Sequence, residues 1–432
     1  MSRRIRPRRA VASQWMSDPH IASAYAYLRA GGTPRDRDRI AASILPGLRL
    51  AGEGASTRYP GTMHGAWFSG EHAANALIAE GRAGAGRRTL VVGAGWAGIA
   101  AGRRLAAAGG RVIVVEAAAV AGGRAGTDRT LGAPVHLGAA WLHGVDDNPI
   151  AMLAREADVT WEPSGWGASR TYLLGERSLD EEERDAVWTL RRAVAGAVAN
   201  ARAHASVDDA LGPVLRAALA AVDAPPRQRA VLECWVYGEY ENLYAAPIDD
   251  LSLLHCTEPF SMSGADATLT GPLDRVIAHA IEPLDVRVRT AVERIEAQGA
   301  SWRVTTSGAT EEADSVIVTA PAGVLSAGTI AFDPPLPDDV QASLAHLGAG
   351  VLAKVFFEFD EPFWQPHWAF WATAAVRPPI ELWVDASKLA GRPVLCGFAT
   401  GAHAQRVERM DSEELCSMAE ALLGAVPEFG EW

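Results

Sequence analysis

Two hydrophobic rhythms run through this chain. TLVV (residues 89–92) is a short apolar run ending in glycines, IAAGRRLAAAGG (99–110) has helical spacing, and RVIVVEA (111–117) is apolar again. Strand, glycine loop, helix and strand in that order form the first half of a doubly wound, Rossmann-like α/β fold. Upstream, HGAWFSGEHAANALIAEGR (64–82) predicts a helix that runs into a joint of small residues, AGAGRR (83–88). Downstream, a long amphipathic helix is predicted from Ser178, with SLDE as a capping box closed by Glu181 and with Val187, Leu190, Val194 and Val198 along one face. Period-two runs return at 286–297, 301–308 and 313–321, followed by the aromatic run KVFFEF (354–359). The helical middle predicts a second, mixed α+β domain whose pieces interleave with a discontinuous nucleotide domain. There is no internal repeat.

At 432 residues, 49% hydrophobic and 21% charged, the chain has the composition of a soluble globular protein of two or three domains. Its net charge of -12 disfavours nucleic acid or an anionic membrane as the main partner and suits a cationic ligand, although solubility alone would account for it. Cys234, Cys256, Cys396 and Cys416 are scattered without metal-ligand spacing, so reduced thiols and a cytoplasmic location are expected. The start, MSRRIRPRRAVASQW, carries five arginines but no apolar run of signal-peptide length, so residues 1–9 are expected to form a flexible basic tail. No stretch approaches the roughly 20 apolar residues of a membrane helix.

The chemistry begins at GAGWAG (93–98). Gly93, Gly95 and Gly98 permit a tight turn, close approach of a pyrophosphate and close packing of helix on strand; Trp96 and Ala97 are the other candidate cofactor-binding residues of this loop, and the N-terminus of the helix that follows favours an anion. Glu116, ending the second strand, stands where a carboxylate binds ribose hydroxyls. NAD and FAD fit equally well to this point. The extension from Glu116 to GGR, which includes Gly123 and Arg124, resembles the FAD-binding extension of the flavin-dependent amine oxidases.

The resemblance to that family, which includes monoamine oxidases, polyamine oxidases and lysine-specific histone demethylases, continues in an unusual order. LRLAGEGASTRYPGTMHGAWFSG (48–70) resembles the segment that closes a family chain, yet here it precedes the glycine loop. WMSDPHIASAYAYLRAGG (15–32) is similar to the W-x-x-D-P-x-x-x-G-S-Y stretch leading into it, and PEFGEW (427–432) stands about where a family member would continue into that stretch. The implied architecture is an amine oxidase fold in circular permutation, spliced near residues 83–88. Its FAD-binding domain would comprise 38–160 and 271–340, and its substrate domain 10–37, 161–270 and 341–432.

The resemblance also implies site residues. Arg124 would lie near the flavin or its phosphates, and Glu53, after Gly52, by the ribityl-pyrophosphate region. Trp15 would pack near the flavin ring, and Val292 would offer a backbone contact to adenine. LGAAWLHGVDDNPIAMLA (137–154) looks most like polyamine oxidases and supplies Gly138, Ala139, Ala140, Trp141 and the histidine His143. LGAGVLAKVFFEFDEPFW (347–364) resembles the surroundings of the lysine that holds a water against the flavin, so Lys354 would assist reoxidation by oxygen; read without the family, a lysine opening an aromatic strand would sit at an exposed edge. Tyr25 would wall the cavity in front of the flavin, with Thr62, followed by Met63, opposite. Ser23 replaces the family's glycine, and Ala24 stands where monoamine oxidases have a flavin-linked cysteine, so FAD would be bound non-covalently.

The implied activity is oxidation of an amine C–N bond by hydride transfer to FAD, with oxygen as acceptor, hydrogen peroxide as product and no metal. The expected partners are a small amine and oxygen, and a homodimer is compatible with the reading. An L-amino acid oxidase or biosynthetic flavin oxidase would need a cationic side chain facing the flavin. A chromatin-type demethylase module or a non-catalytic FAD scaffold is the alternative of another class; the missing helical-hairpin insertion disfavours the first, and Lys354 with Tyr25 the second.

Overall fold

The computed structural model describes residues 5–164, 170–364 and 369–430. Its nucleotide-type sheet has six strands in the order Asp285–Arg287, Arg111–Val115, Arg88–Val92, Ser315–Val318, Leu48–Leu50 and Ser43–Leu45, all parallel except the last. Its central strands Arg88–Val92 and Ser315–Val318 are buried almost throughout, which is why they are mostly apolar. Leu48, Leu50, Leu90, Val92, Val316 and Val318 point into one core, and Val91, Val114 and Ile317 into another. The helices Met63–Ala79 and Trp96–Ala107 cover the second face, and a Cβ on Gly70 would come within 2.0 Å of the Ala97 carbonyl oxygen. Such close packing requires glycine there.

The alternating run 286–297 is two strands rather than one. Asp285–Arg287 ends the parallel sheet, whereas Val292–Gln298 joins a four-stranded sheet with Ser301–Thr306, Thr310–Ala313 and Ala331–Asp333. Arg289, with φ 53°, turns the chain between them. The long helix spans Glu181–Arg202, with Val187, Val194 and Val198 buried, but its cap lies two residues beyond the predicted one. Asp180 accepts from the Glu183 N–H at 2.9 Å and Glu183 from the Asp180 N–H at 3.0 Å, while the Ser178 N–H is donated to Glu428 at 2.7 Å.

A second six-stranded sheet has the order Arg9–Ala12, Leu352–Glu358, Val394–Thr400, Leu382–Asp385, Ala369–Thr373 and Arg170–Leu173. Lys354 therefore sits on an interior, fully buried strand and not at an exposed edge. The same sheet holds residues 5–9 of the expected flexible tail, whereas residues 1–4 lie outside the described residues. Ile5 is buried, Arg6 pairs with Glu413 and Glu420, the Arg8 N–H donates to the Glu358 carbonyl at 2.7 Å, and the strand begins at Arg9. Neutralised arginines and one buried isoleucine turn a basic stretch into an edge strand. No helix among the described residues is long and apolar enough to cross a membrane, and all four cysteines are buried and unbridged.

Candidate active site

A cavity of about 1510 Å³ opens between the carboxyl ends of the parallel strands and the second sheet. The site residues named from the sequence line it, except Gly98 and Ser23. A Cβ on Gly98 would come within 1.8 Å of the Gly93 carbonyl oxygen, and one on Gly93, at φ 98°, within 2.5 Å of Thr319 Oγ1. Thr319, which the sequence reading missed, donates to the Val92 carbonyl at 2.8 Å and braces the loop from the neighbouring strand. In front of Gly95 a Cβ would meet nothing within 4 Å. The loop is thus closed behind and open towards the cavity.

The residues fit a dinucleotide. The first N–H groups of the helix Trp96–Ala107 have no intrahelical acceptor and sit at the positive end of its dipole. Glu116 is buried and accepts from the N–H groups of Ala94 and Ala118, both at 2.8 Å. The turn with Gly122 and Gly123, both at positive φ, lies against the loop. The buried Trp96 Nε1 has no protein partner among the described residues.

Further along the cavity Arg124 pairs with Glu53 at 3.0 Å and donates to the Ala24 carbonyl, while the Glu53 carboxylate accepts from the Ala26 N–H at 3.2 Å. The Gly52 N–H donates to Ser69 at 3.2 Å. Gly138 is wedged so tightly that a Cβ would stand 1.9 Å from the Arg124 carbonyl oxygen and 3.1 Å from the Trp15 ring. The Ala139 N–H donates to Arg124, and the Ala140 carbonyl accepts from Leu269. Thr62 caps the helix Met63–Ala79: its hydroxyl accepts from the Gly65 N–H at 2.9 Å and donates to Tyr59 at 2.8 Å, so it is committed to the cap. Ser23 is buried, and the positive φ nearby falls on Ala22. Val292 is buried at the cavity wall.

Lys354 is buried, with no carboxylate partner among the described residues. Its Nζ donates to the Gly138 carbonyl at 2.6 Å and the His136 carbonyl at 3.4 Å, and lies 4.5 Å from the centroid of Trp141 and 5.5 Å from that of Phe398. Burial pulls its pKa from 10.5 down to about 8. Tyr25 donates to the Asn242 carbonyl at 2.8 Å, and burial pushes its pKa up. His143 lines the cavity at another place, where Asp266 accepts from its Nδ1 at 3.1 Å and Phe260 meets it edge-on. The helical stretch from Pro226 and the chain after it contribute Trp235, Asn242, Tyr244 and Phe260 to the lining, and Trp371 comes from the second sheet. Residue spacing alone gives no signal for these.

The family model described as "Flavin containing amine oxidoreductase" matches residues 2–78 and 96–428. Polyamine oxidase 4 of Oryza sativa subsp. japonica is 28% identical over 340 residues, covering 75% of this chain and 70% of that protein. Polyamine oxidase 2 of Arabidopsis thaliana is 28% identical over 345 residues, covering 76% and 70%. Lysine-specific histone demethylase 1 homolog 1 of Oryza sativa is 28% identical over 75% of this chain but 41% of its own length. Among solved structures, putrescine oxidase bound to putrescine has a TM-score of 0.61 at 22% identity, covering 80% of this chain and 83% of its own. Cyclohexylamine oxidase from Brevibacterium oxydans has a TM-score of 0.60 at 20% identity, covering 80% and 82%. A match across both sheets, joined to a dinucleotide cradle and a buried lysine facing one cavity, establishes that the chain belongs to the flavin containing amine oxidoreductases.

Proposed function

We propose that the chain oxidises an amine at the carbon attached to nitrogen, with a polyamine-oxidase-like site, giving an imine that water converts to aldehyde and amine while oxygen leaves as hydrogen peroxide. The observation that carries this is Lys354, a buried ammonium held by two carbonyls and two aromatic faces at the cavity wall. FAD, when bound, accepts the hydride. Gly93, Gly95, Trp96, Ala97 and Gly98 would hold its pyrophosphate, Glu116 its ribose and Val292 its adenine. Gly123, Arg124, Gly52 and Glu53 would hold its middle, and Trp15, the stretch from Gly138 to Trp141, Thr62 and Met63 its ring system. Ala24 offers no side chain for a covalent link.

The remaining chemistry belongs to this chain's side chains. An alkylamine has a pKa near that of lysine, about 10.4, and must lose its proton before its lone pair can drive hydride loss. Tyr25, Trp371 and Phe398 exclude water and favour the uncharged amine. Lys354 Nζ, titrating near pH 8, exchanges a proton with the site at neutral pH. His143, oriented by Asp266 and lining the cavity, would act on the bound amine from that wall.

We assign 38–160 and 271–340 to the FAD domain and the other pieces to the substrate domain, in a circular permutation of the family's order. In support, Leu48–Leu50 is parallel to Ser315–Val318 inside the nucleotide sheet. The family match breaks at 79–95, where the glycines Gly81, Gly84 and Gly86 turn the chain with positive φ.

The test is the visible spectrum of the anaerobic holoprotein with spermidine, simple monoamines and L-amino acids added separately. Bleaching by an amine supports the reading. Bleaching by amino acids alone, or by nothing, overturns it.

A further inference from the structure

We propose that Arg377 is a positioning residue for the substrate cage, acting through Glu241 on the helical turn that holds Tyr25. The proposal rests on the amine oxidase reading above. The helix Pro226–Tyr237 does not stop at a normal cap; it widens into one turn of π-helix over Gly238–Asn242. Such turns are rare, are poorly hydrogen-bonded and recur at functional sites, so what holds this one in its wide form matters.

Asn242 belongs to the last turn of that helical segment, whose carbonyls lack intrahelical partners, and its carbonyl accepts from the Tyr25 hydroxyl at 2.8 Å. At the other end of the turn, a Cβ on Gly238 would come within 2.6 Å of the Trp371 ring. The π-turn thus sets two aromatic walls of the cavity at once. Between these contacts stands Glu241, which accepts from Arg377 Nη1 at 2.8 Å. The other guanidinium nitrogens, Nε and Nη2, bind Glu381 Oε2 at 2.8 and 2.6 Å, and the second oxygen of that buried carboxylate accepts from Thr373 at 2.8 Å. The guanidinium also lies 4.7 Å from the Tyr237 ring centroid. A planar fork joined to two carboxylates is a rigid connector. It fastens the π-turn to the strand Ala369–Thr373, which carries Trp371.

Glu239, in the same turn, is paired with Arg191 at 2.8 Å, but its side chain is 45% exposed, against 20% for Glu241. The inner pair is the firmer one. Without Arg377, Glu241 loses its ion pair next to the cavity-lining Asn242, and the turn can tighten to an ordinary helical register, carrying the Asn242 carbonyl away from Tyr25.

The experiment compares native holoprotein with Arg377→Met, Tyr25→Phe and the double variant. It measures amine-dependent bleaching (rate constant against half-saturating amine) and amide hydrogen exchange of the peptide covering residues 238–244. Arg377→Met is expected to raise the half-saturating amine concentration on the order of tenfold, and to cost less than about twofold once Tyr25 is already Phe. Exchange in 238–244 is expected to quicken in both single variants. Multiplying losses in the double variant, or unchanged exchange, would overturn the proposal. If Arg377→Met does not fold, Glu241→Gln carries the same comparison. If no amine bleaches the native protein, the functional reading fails, and the exchange measurement still decides the link from Arg377 to the π-turn.

Discussion

Lys354 and Phe398 are cross-strand partners, and the ammonium of the first lies 5.5 Å from the ring centroid of the second. With the Trp141 ring at 4.5 Å and the Gly138 carbonyl at 2.6 Å, the charge is met, among the described residues, by π-faces and dipoles instead of a counter-ion. These stabilise an ammonium less than a carboxylate would, and the pKa falls to about 8. The arrangement keeps a proton exchangeable where an ion pair would fix it.

Replacing Lys354 with Met removes a group whose ionised form is about 3 kcal/mol less favourable here than in water, from its shift at 1.36 kcal/mol per pK unit. The variant is expected to retain flavin, to melt no lower than the native protein at pH 7, and to be reoxidised by oxygen at least about tenfold more slowly. Stopped-flow reoxidation of the reduced holoprotein decides it: an unchanged rate removes Lys354 from the oxygen half of the reaction.

The same residue gives a signature in stability. Folded Lys354 releases its proton near pH 8, whereas the unfolded chain keeps it to the ordinary lysine range, so the unfolded state binds more protons in between. The Lys354 contribution therefore rises with pH from about 8 to about 10. Denaturant midpoints of native protein minus Lys354→Met are expected to climb across that window. The chain has two lysines, Lys354 and Lys388, so isotope-labelled lysine also resolves the titration directly.

Acid is expected to weaken the fold through His64 and His136. Burial holds both below the usual imidazole range, at about 4 and about 3, while the unfolded residues take up protons near 6.5. Their stabilising contribution is complete above pH 6.5 and is lost as pH falls below it. Urea midpoints at pH 7, 6 and 5 should decline less steeply in His64→Gln, whose amide can still donate to the Phe260 carbonyl as the ring does at 3.0 Å. An identical slope would exclude His64 as a contributor.

Gly98→Ala places a methyl 1.8 Å from the Gly93 carbonyl oxygen, a clash with backbone that no rotamer relieves. The variant is expected to purify with little flavin and to be destabilised by several kcal/mol, roughly 3 or more. From native protein, acid precipitation is expected to leave the flavin in the supernatant, since Ala24 carries no group that could retain it. Flavin in the pellet would show a covalent link.

The loop was legible because its requirement is local: a Cβ on Gly98 would strike the Gly93 carbonyl oxygen within the same short stretch of chain. Lys354 was not legible from its own neighbourhood. Its burial depends on Arg9–Ala12 and Val394–Thr400 flanking its strand, and Phe398 reaches it only through that register. Only the family resemblance pointed to it. The run 286–297 misled because its alternation persists across the left-handed turn at Arg289, where periodicity gives no sign of a change of sheet. Thr319 and Trp371 were missed for the same reason as Phe398, since long-range pairing alone brings them to the site.

Two strands near the start, Arg9–Ala12 and Leu48–Leu50, pair with Leu352–Glu358 and Ser315–Val318 respectively. Segments made early on the ribosome must therefore wait for partners made late, and neither sheet can close around the cofactor cradle until most of the chain has emerged. Folding is expected to be slow, with the unpaired early strands the most aggregation-prone part of the nascent chain.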